Sequence, residues 1–149
     1  MKNLNIHGLY ECYGHCRTRL RYHIILVTKY KRKCLEPIKD SVFQALKEAE
    51  TRSHLKIHYM NIDNDHIHLL VSFPPDYSIS QTIKRIKQLT TNYLYRYHKD
   101  YLKRFYVRRK KVLWSDSYFC STIGTVSESN IKNYISNQNK TFKATNSSI

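Results

Sequence analysis

His66 and His68 are separated by a single residue in the run His66-Ile67-His68-Leu69-Leu70-Val71. Side chains alternate faces along an extended strand, so the two imidazoles leave the same side, roughly 6.6 Å apart along the backbone at about 3.3 Å per residue. Two imidazoles so placed can converge on one metal ion. With eight His in the chain, a pair of this spacing also arises by chance. The neighbours favour a site: Ile67, Leu69, Val71 and Phe73 make the apolar set of the strand, which turns the histidines to the opposite face, where a ligand can approach.

Further along, Tyr134 and Gln138 are four residues apart. On a helix they share a face, where a phenol and an amide oxygen can border one site. A tyrosine packed with Ile131 and Ile135 as ordinary core is the alternative, and spacing does not choose between them. The segment Lys103-Arg104-Phe105-Tyr106-Val107-Arg108-Arg109-Lys110-Lys111 mixes six cations with two aromatics. That mixture suits phosphate pairing and base stacking on a single nucleic-acid strand, with a solvated charged loop as the alternative. His7, Cys12, His15, Cys16 and His23 lack the paired rhythm of a structural zinc site.

The elements that position these groups follow from periodicity. Arg21 to Thr28 is short, β-branched and aromatic, and reads as a strand. Ile38, Val42, Ala45, Leu46 and Ala49 recur at helical steps after Pro37, which predicts a helix to Thr51. Lys56 to Ile62 and His66 to Phe73 read as strands joined by the turn Asp63-Asn64-Asp65, an antiparallel hairpin. Ser78 to about Lys99 is a long amphipathic helix, with Ile79, Ile83, Ile86, Thr90, Tyr93, Leu94 and Tyr97 on one stripe. Lys84, Arg85, Lys87 and Arg96 lie off that stripe, so Lys84 and Arg85 join the candidate DNA contacts. Tyr118 to Ile123 reads as a fourth strand, and a final helix starts at the capping-box spacing Thr125 to Glu128. The order β-α-β-β-α-β plus a helix suits a ferredoxin-like α+β sandwich.

The chain has 149 residues, enough for one domain, expected over residues 1–140 with a polar tail over 141–149. Twenty-six Lys and Arg against 11 Asp and Glu leave a formal charge of +15, the balance of a polyanion binder. Residues 76–149 carry 14 basic and 4 acidic residues, so the second half is the stronger contact candidate. With 41% hydrophobic residues the chain can bury a core, which argues against a disordered basic tail. Only three Gly are present and no phosphate-cradling Gly-rich motif, so no nucleotide cofactor is expected. No apolar run approaches the roughly 20 residues that span a bilayer, so no membrane partner is expected. With four unevenly spaced Cys and no secretory leader, a reducing cytoplasm is the expected compartment.

Taken together, these parts resemble the small single-tyrosine HUH transposases of bacterial and archaeal insertion sequences. The resemblance is carried by Tyr22-His23-Ile24-Ile25 with Thr28-Lys29-Tyr30-Lys31-Arg32-Lys33, then by Asp65-His66-Ile67-His68-Leu69-Leu70-Val71 through Pro74-Pro75. It continues in Leu113-Trp114, Ser117-Tyr118-Phe119, Thr122-Ile123-Gly124, Ile131-Lys132-Asn133-Tyr134-Ile135 and Asn137-Gln138. Each motif is weak alone; their conjunction over about four fifths of the chain is specific. One departure is Lys87-Gln88-Leu89-Thr90, where many relatives carry Lys-Gly-Ser.

The resemblance implies that His66 and His68 are the paired histidines, Gln138 the third metal ligand and Tyr134 the nucleophile. It further implies a homodimer whose sheets join, in which the tyrosine helix of one subunit can complete the histidine site of the other. The substrate implied is single-stranded DNA carrying a hairpin near each end of a mobile element, cut and rejoined through a 5′-phosphotyrosine. Two imidazole nitrogens and an amide oxygen leave positions open for phosphate oxygens, a donor set that suits Mg²⁺ or Mn²⁺. The rival readings are a non-enzymatic RRM-like nucleic-acid-binding domain and a replication or domesticated HUH nuclease. The first lacks the RNP aromatic run and the second, in its replication form, the partner domain.

Overall fold

The computed structural model describes residues 20–107, 110–123, 133 and 135–137, together with the backbone of residues 11–13 and 16–18. β1 (Glu11–Tyr13) and β2 (Cys16–Thr18) pair antiparallel as a small sheet of their own. The sequence reading did not anticipate them. β3 (Arg21–Val27), α1 (Lys39–Thr51), β4 (Lys56–Ile62), β5 (His66–Ser72), α2 (Ile79–Lys103) and β6 (Phe119–Ile123) follow in the expected order. The main sheet runs β4-β5-β3-β6, and each neighbouring pair is antiparallel.

Alternation sorts this sheet into two faces. Ile24, Leu26, Ile62, Ile67, Leu69 and Val71 form a buried core with Val42, Ala45 and Leu46 of α1 and Ile83, Ile86 and Leu94 of α2. Burying an aliphatic side chain of this kind is worth about 1.5–3 kcal/mol, so the helices are held on this face by their apolar stripes. The other face carries the odd residues of β3 and the even residues of β5, because Ile25 pairs with His68 and His23 with Leu70. Phe119 and Ser121 of β6 join them opposite Ile25 and His23.

Local chemistry fixes the element ends. Ser78 caps α2 through a capping box: its hydroxyl accepts from the Gln81 N–H at 3.1 Å while its own N–H donates to the Gln81 side chain at 3.0 Å. α2 continues past Lys99 to Lys103 through a kink at His98, whose ring nitrogen lies 2.6 Å from the Ser41 hydroxyl on α1. Tyr97, expected on the apolar stripe, is exposed just before the kink, and Leu102 beyond it is buried. Residues 112–114 are also tied down. The Tyr95 hydroxyl donates to the Val112 carbonyl at 2.6 Å, and Trp114 Nε1 donates to Thr90 Oγ1 at 2.9 Å.

Candidate active site

β5 delivers the histidine pair as alternation requires. His66 and His68 leave the same face, with ring centroids 5.1 Å apart and planes at 76°. That face is covered: His66 is 2% exposed and His68 fully buried, a closer environment than the sequence reading anticipated. Each ring is oriented through Nδ1. The Nδ1–H of His66 donates to Asp65 Oδ1 at 2.7 Å, and His68 Nδ1 lies 3.0 Å from Nε2 of His23. Metal-binding histidines are oriented in this way, by a hydrogen bond at the nitrogen that does not face the ion. Both Nε2 atoms are thereby left as the candidate donors.

His23 is the residue that spacing along the chain did not select. It lies 45 positions from His68, and only the β3–β5 register brings the two rings parallel, 11° between planes. The Phe119 ring meets His23 edge-on at 5.8 Å. Desolvation in this fully buried position pushes the His23 pKa down to about 4, so its ring is neutral at pH 7. The Asp63 carboxylate stands 3.9 Å from His66 Nε2, on the turn before β5.

Among the described residues no group of three or more His, Cys, Asp or Glu is arranged to hold a metal ion. Two oriented imidazoles fit a cation that takes further donors from an amide oxygen and from a phosphate. Gln138, the expected third ligand, and Tyr134, the expected nucleophile, lie outside the described residues, as do Arg108 and Arg109. Asn133 and Ile135 to Asn137 are described and helical, and buried Ile135 clusters with Leu70 and Ile123.

The basic candidates divide. Lys84 and Lys111 line a cleft of about 520 Å³ together with Lys29, Lys87, Trp114 and Tyr118. Lys87 is anchored there: its Nζ donates to the carbonyls of Ser115 at 2.7 Å and Asp116 at 3.3 Å. Burial lowers the Lys87 pKa, with Asp116 acting in the opposite direction. Gln88, at the departure from Lys-Gly-Ser, also lines this cleft. Arg85 instead lines a separate cleft with Arg52, His54 and Tyr77. Lys103 and Arg104 are exposed at the far end of α2, about 28 Å from Lys84 at 1.5 Å per residue, and Lys110 is exposed.

Lys29 also marks where the basic cleft stands relative to the histidines. It lies two residues beyond Val27, which pairs with His66, so the cleft opens at that end of the sheet. Next to it Tyr30 holds a left-handed backbone, φ 61°, and is 59% exposed, with Lys29 Nζ and Arg32 Cζ 5.7 and 5.9 Å from its ring centroid. A non-glycine residue persists in that region only when its surroundings hold it there. Here the Thr28 hydroxyl donates to the Arg32 carbonyl at 2.8 Å and the Lys31 N–H donates to the Thr28 carbonyl at 2.9 Å.

Comparison with known proteins gives a consistent result. A family model described as IS200-like transposase matches residues 16–138. The transposase for insertion sequence element IS200 of Salmonella typhimurium is 30% identical over 126 residues, covering 84% of this chain and 80% of that protein. The ISDra2 transposase TnpA of Deinococcus radiodurans is 25% identical over 121 residues, 80% of this chain and 84% of its own. Among solved structures, a candidate transposase from Deinococcus radiodurans R1 superposes with a TM-score of 0.64 at 27% identity, covering 85% of this chain and 95% of that one. A REP-associated tyrosine transposase bound to a REP hairpin shares the fold, with a TM-score of 0.52 at 12% identity over 76% of this chain and 61% of that one.

Proposed function

The chain belongs to the IS200-like transposase family, and on that premise we propose that it cuts and rejoins single-stranded DNA through Tyr134, with His66, His68 and Gln138 holding a divalent cation. It is a DNA transposase; the finer reading concerns its chemistry. The observation that carries it is the pair of Nδ1-oriented imidazoles on one face of β5, the same face on which the helix containing Ile135 docks.

Mg²⁺ or Mn²⁺ bound by these three residues would supply Lewis-acid polarisation of the scissile phosphate. The Tyr134 oxygen attacks phosphorus, its proton passes to a base, and the bond to the 3′ oxygen breaks as that oxygen takes up a proton from water or from the protonated base. A 5′-phosphotyrosine and a free 3′-hydroxyl result. Rejoining is the reverse, with a 3′-hydroxyl displacing the tyrosine. One phosphate ester replaces another, so the exchange needs no nucleotide hydrolysis. Asp65 holds the His66 ring in place throughout.

The DNA contact proposed is the cleft of Lys29, Lys84, Lys87 and Lys111, which opens at the His66 end of the sheet. Exposed Lys103, Arg104 and Lys110 extend the positive field, as do Arg108 and Arg109 by their charge. The substrate reading is single-stranded DNA with an imperfect hairpin; the REP-associated transposase with the same fold was solved bound to a hairpin.

In the proposed assembly, a single ferredoxin-like transposase domain over residues 1–140, with a tail over 141–149, pairs into a homodimer with joined sheets and two sites. The antiparallel order β4-β5-β3-β6 with both helices on one face supports the ferredoxin-like part. Cytoplasmic action on the chromosome is the compartment this reading implies; no described helix is long and apolar enough to cross a membrane.

The test is incubation with labelled single-stranded DNA from the flanks of the gene and Mg²⁺, followed by denaturing electrophoresis. A protein-linked labelled fragment that disappears in Tyr134→Phe supports the reading. Binding without any linked fragment under these conditions would leave a nucleic-acid-binding domain instead.

A further inference from the structure

The two metal-facing imidazoles are held by different kinds of partner. A carboxylate only accepts, so the hydrogen bond to Asp65 places a proton on His66 Nδ1, and the neutral ring then carries its lone pair on Nε2, 3.9 Å from the Asp63 carboxylate. An imidazole can either donate or accept, so the contact at 3.0 Å between His68 Nδ1 and His23 Nε2 has two possible proton arrangements. In one, His68 donates from Nδ1 and its Nε2 presents a lone pair. In the other, His23 donates from Nε2 and the His68 proton sits on Nε2, where it blocks coordination.

We infer that His23 is a positioning residue, which accepts the Nδ1 proton of His68 and so selects the tautomer of His68 that can bind a divalent cation. The inference rests on the reading of His66 and His68 as metal ligands. His23 then carries its own proton on Nδ1. Geometry holds the contact and the ligand role sets its direction: the rings are near-parallel and both fully buried, β3–β5 pairing sets Ile25 opposite His68, and only a His68 protonated on Nδ1 offers its Nε2 lone pair to a cation. Phe119 closes over the edge of His23 and adds to the restraint. His23 does for His68 what Asp65 does for His66, by acceptance from a neighbouring strand rather than from the preceding residue.

The experiment compares the full-length wild type with His66→Ala, His23→Leu and His23→Gln, by Mn²⁺ titration calorimetry, by nitrogen NMR of the imidazole rings without metal, and by Tm. Leu fills the space but accepts nothing; the Gln amide oxygen can accept from Nδ1–H. The wild-type and His23→Gln spectra should show His68 protonated on Nδ1, and His23→Leu should shift it toward Nε2. His23→Leu should weaken Mn²⁺ binding by about 10- to 100-fold, the range seen when partners of metal-bound histidines are removed, and His23→Gln should restore most of it. A role in packing alone would move Tm and leave the Gln and Leu variants equal in metal affinity.

Wild-type affinity in both His23 variants, or His68 protonated on Nε2 in the wild type, overturns the inference. If Mn²⁺ binding is absent from the wild type or survives His66→Ala, the metal assignment fails and the inference with it. The ring spectra then still report which histidine donates, so the two failures are told apart. Should His23→Leu not fold, the wild-type and Gln spectra decide.

Discussion

Ile135 packs against Leu70, and Leu70 stands two residues along β5 from His68 on the same face of the sheet. The helix position adjoining Tyr134 is therefore docked beside the histidines by an apolar contact, with Ile123 of β6 as its second support. Cutting Ile135 back to Ala truncates one of the two fully buried members of this small cluster, and the loss for such a truncation is about 2–5 kcal/mol. The helix, anchored by few other described apolar groups, should undock before the main core is affected. Ile135→Ala is expected to reduce strand cleavage at least tenfold while the Tm of the main transition shifts little and hairpin binding persists. Measuring cleavage rate, Tm and binding on one preparation checks all three; unchanged cleavage would mean that this contact does not position the tyrosine helix.

The proposed nucleophile and the proposed ligands should separate by phenotype. Tyr134→Phe keeps the ring and loses the oxygen, so the covalent adduct should vanish entirely with hairpin affinity retained. His66→Ala should lose cleavage through weakened metal binding, and Asp65→Ala, which frees the His66 ring to rotate, should weaken Mn²⁺ binding by about 10- to 100-fold. Adduct formation by Tyr134→Phe in a gel assay would remove Tyr134 from its role.

Lys84 and Arg85 are consecutive, yet they line different clefts. Successive residues on a helix point about 100° apart, and that rotation sends one to the cleft at the His66 end of the sheet and the other toward Arg52. Lys84→Ala and Lys111→Ala should each weaken hairpin binding and lower the slope of log affinity against log salt by about 1, the signature of one lost phosphate contact. Arg85→Ala should leave that slope unchanged. A binding titration at several salt concentrations distinguishes them, and a slope that falls only in Arg85→Ala would move the interface to the opposite cleft.

The sequence made some of these features legible and hid others for definite reasons. His66 and His68 were readable because both lie on one strand, where period-two alternation states which face each occupies. The partnership of His23 was not, because it arises from strand pairing between segments 45 residues apart, and the run Tyr22-His23-Ile24-Ile25 marks a strand without naming its partner. Lys29 and Lys87 read as parts of basic runs, and their meeting in one cleft depends on the loop from Lys111 to Tyr118 folding back onto α2. β1 and β2 escaped notice because Glu11 to Thr18 alternates neither apolar with polar nor in helical steps. Tyr97 was placed on the apolar stripe by its step of three from Leu94, whereas the helix turns Leu94 and Tyr95 to the core and leaves Tyr97 exposed.

The buried thiol and phenols set an alkaline limit on stability. Burial is the leading cause that raises the pKa of Cys34, Tyr95, Tyr101 and Tyr106 above their ordinary values of 9.0 and 10.0. In the unfolded chain these groups lose protons from pH 9.0 upward, while the folded chain keeps them, so the folded state binds more protons there and stability falls as pH rises. Lys87 acts in the reverse sense: its pKa is lowered, so the folded state releases its proton first and stability gains as pH rises toward 10.5, but it is one group against those four and Cys120, whose pKa burial also raises. The Tm is therefore expected to be flat between pH 7 and pH 9 with respect to these groups and to fall beyond it. Cys34→Ala removes one of the two described thiols, Cys34 and Cys120, that ionise first, and it should lessen the onset between 9.0 and 10.0 while leaving the steeper loss above 10.0, where the phenols act. A wild-type Tm that stays level to pH 11 would show that these side chains ionise in the folded protein as they do in water, and the tight hydroxyl contacts of Tyr95 with Val112 and of Tyr101 with Cys34 would then carry less of the loop's anchoring than their 2.6 and 2.8 Å distances indicate.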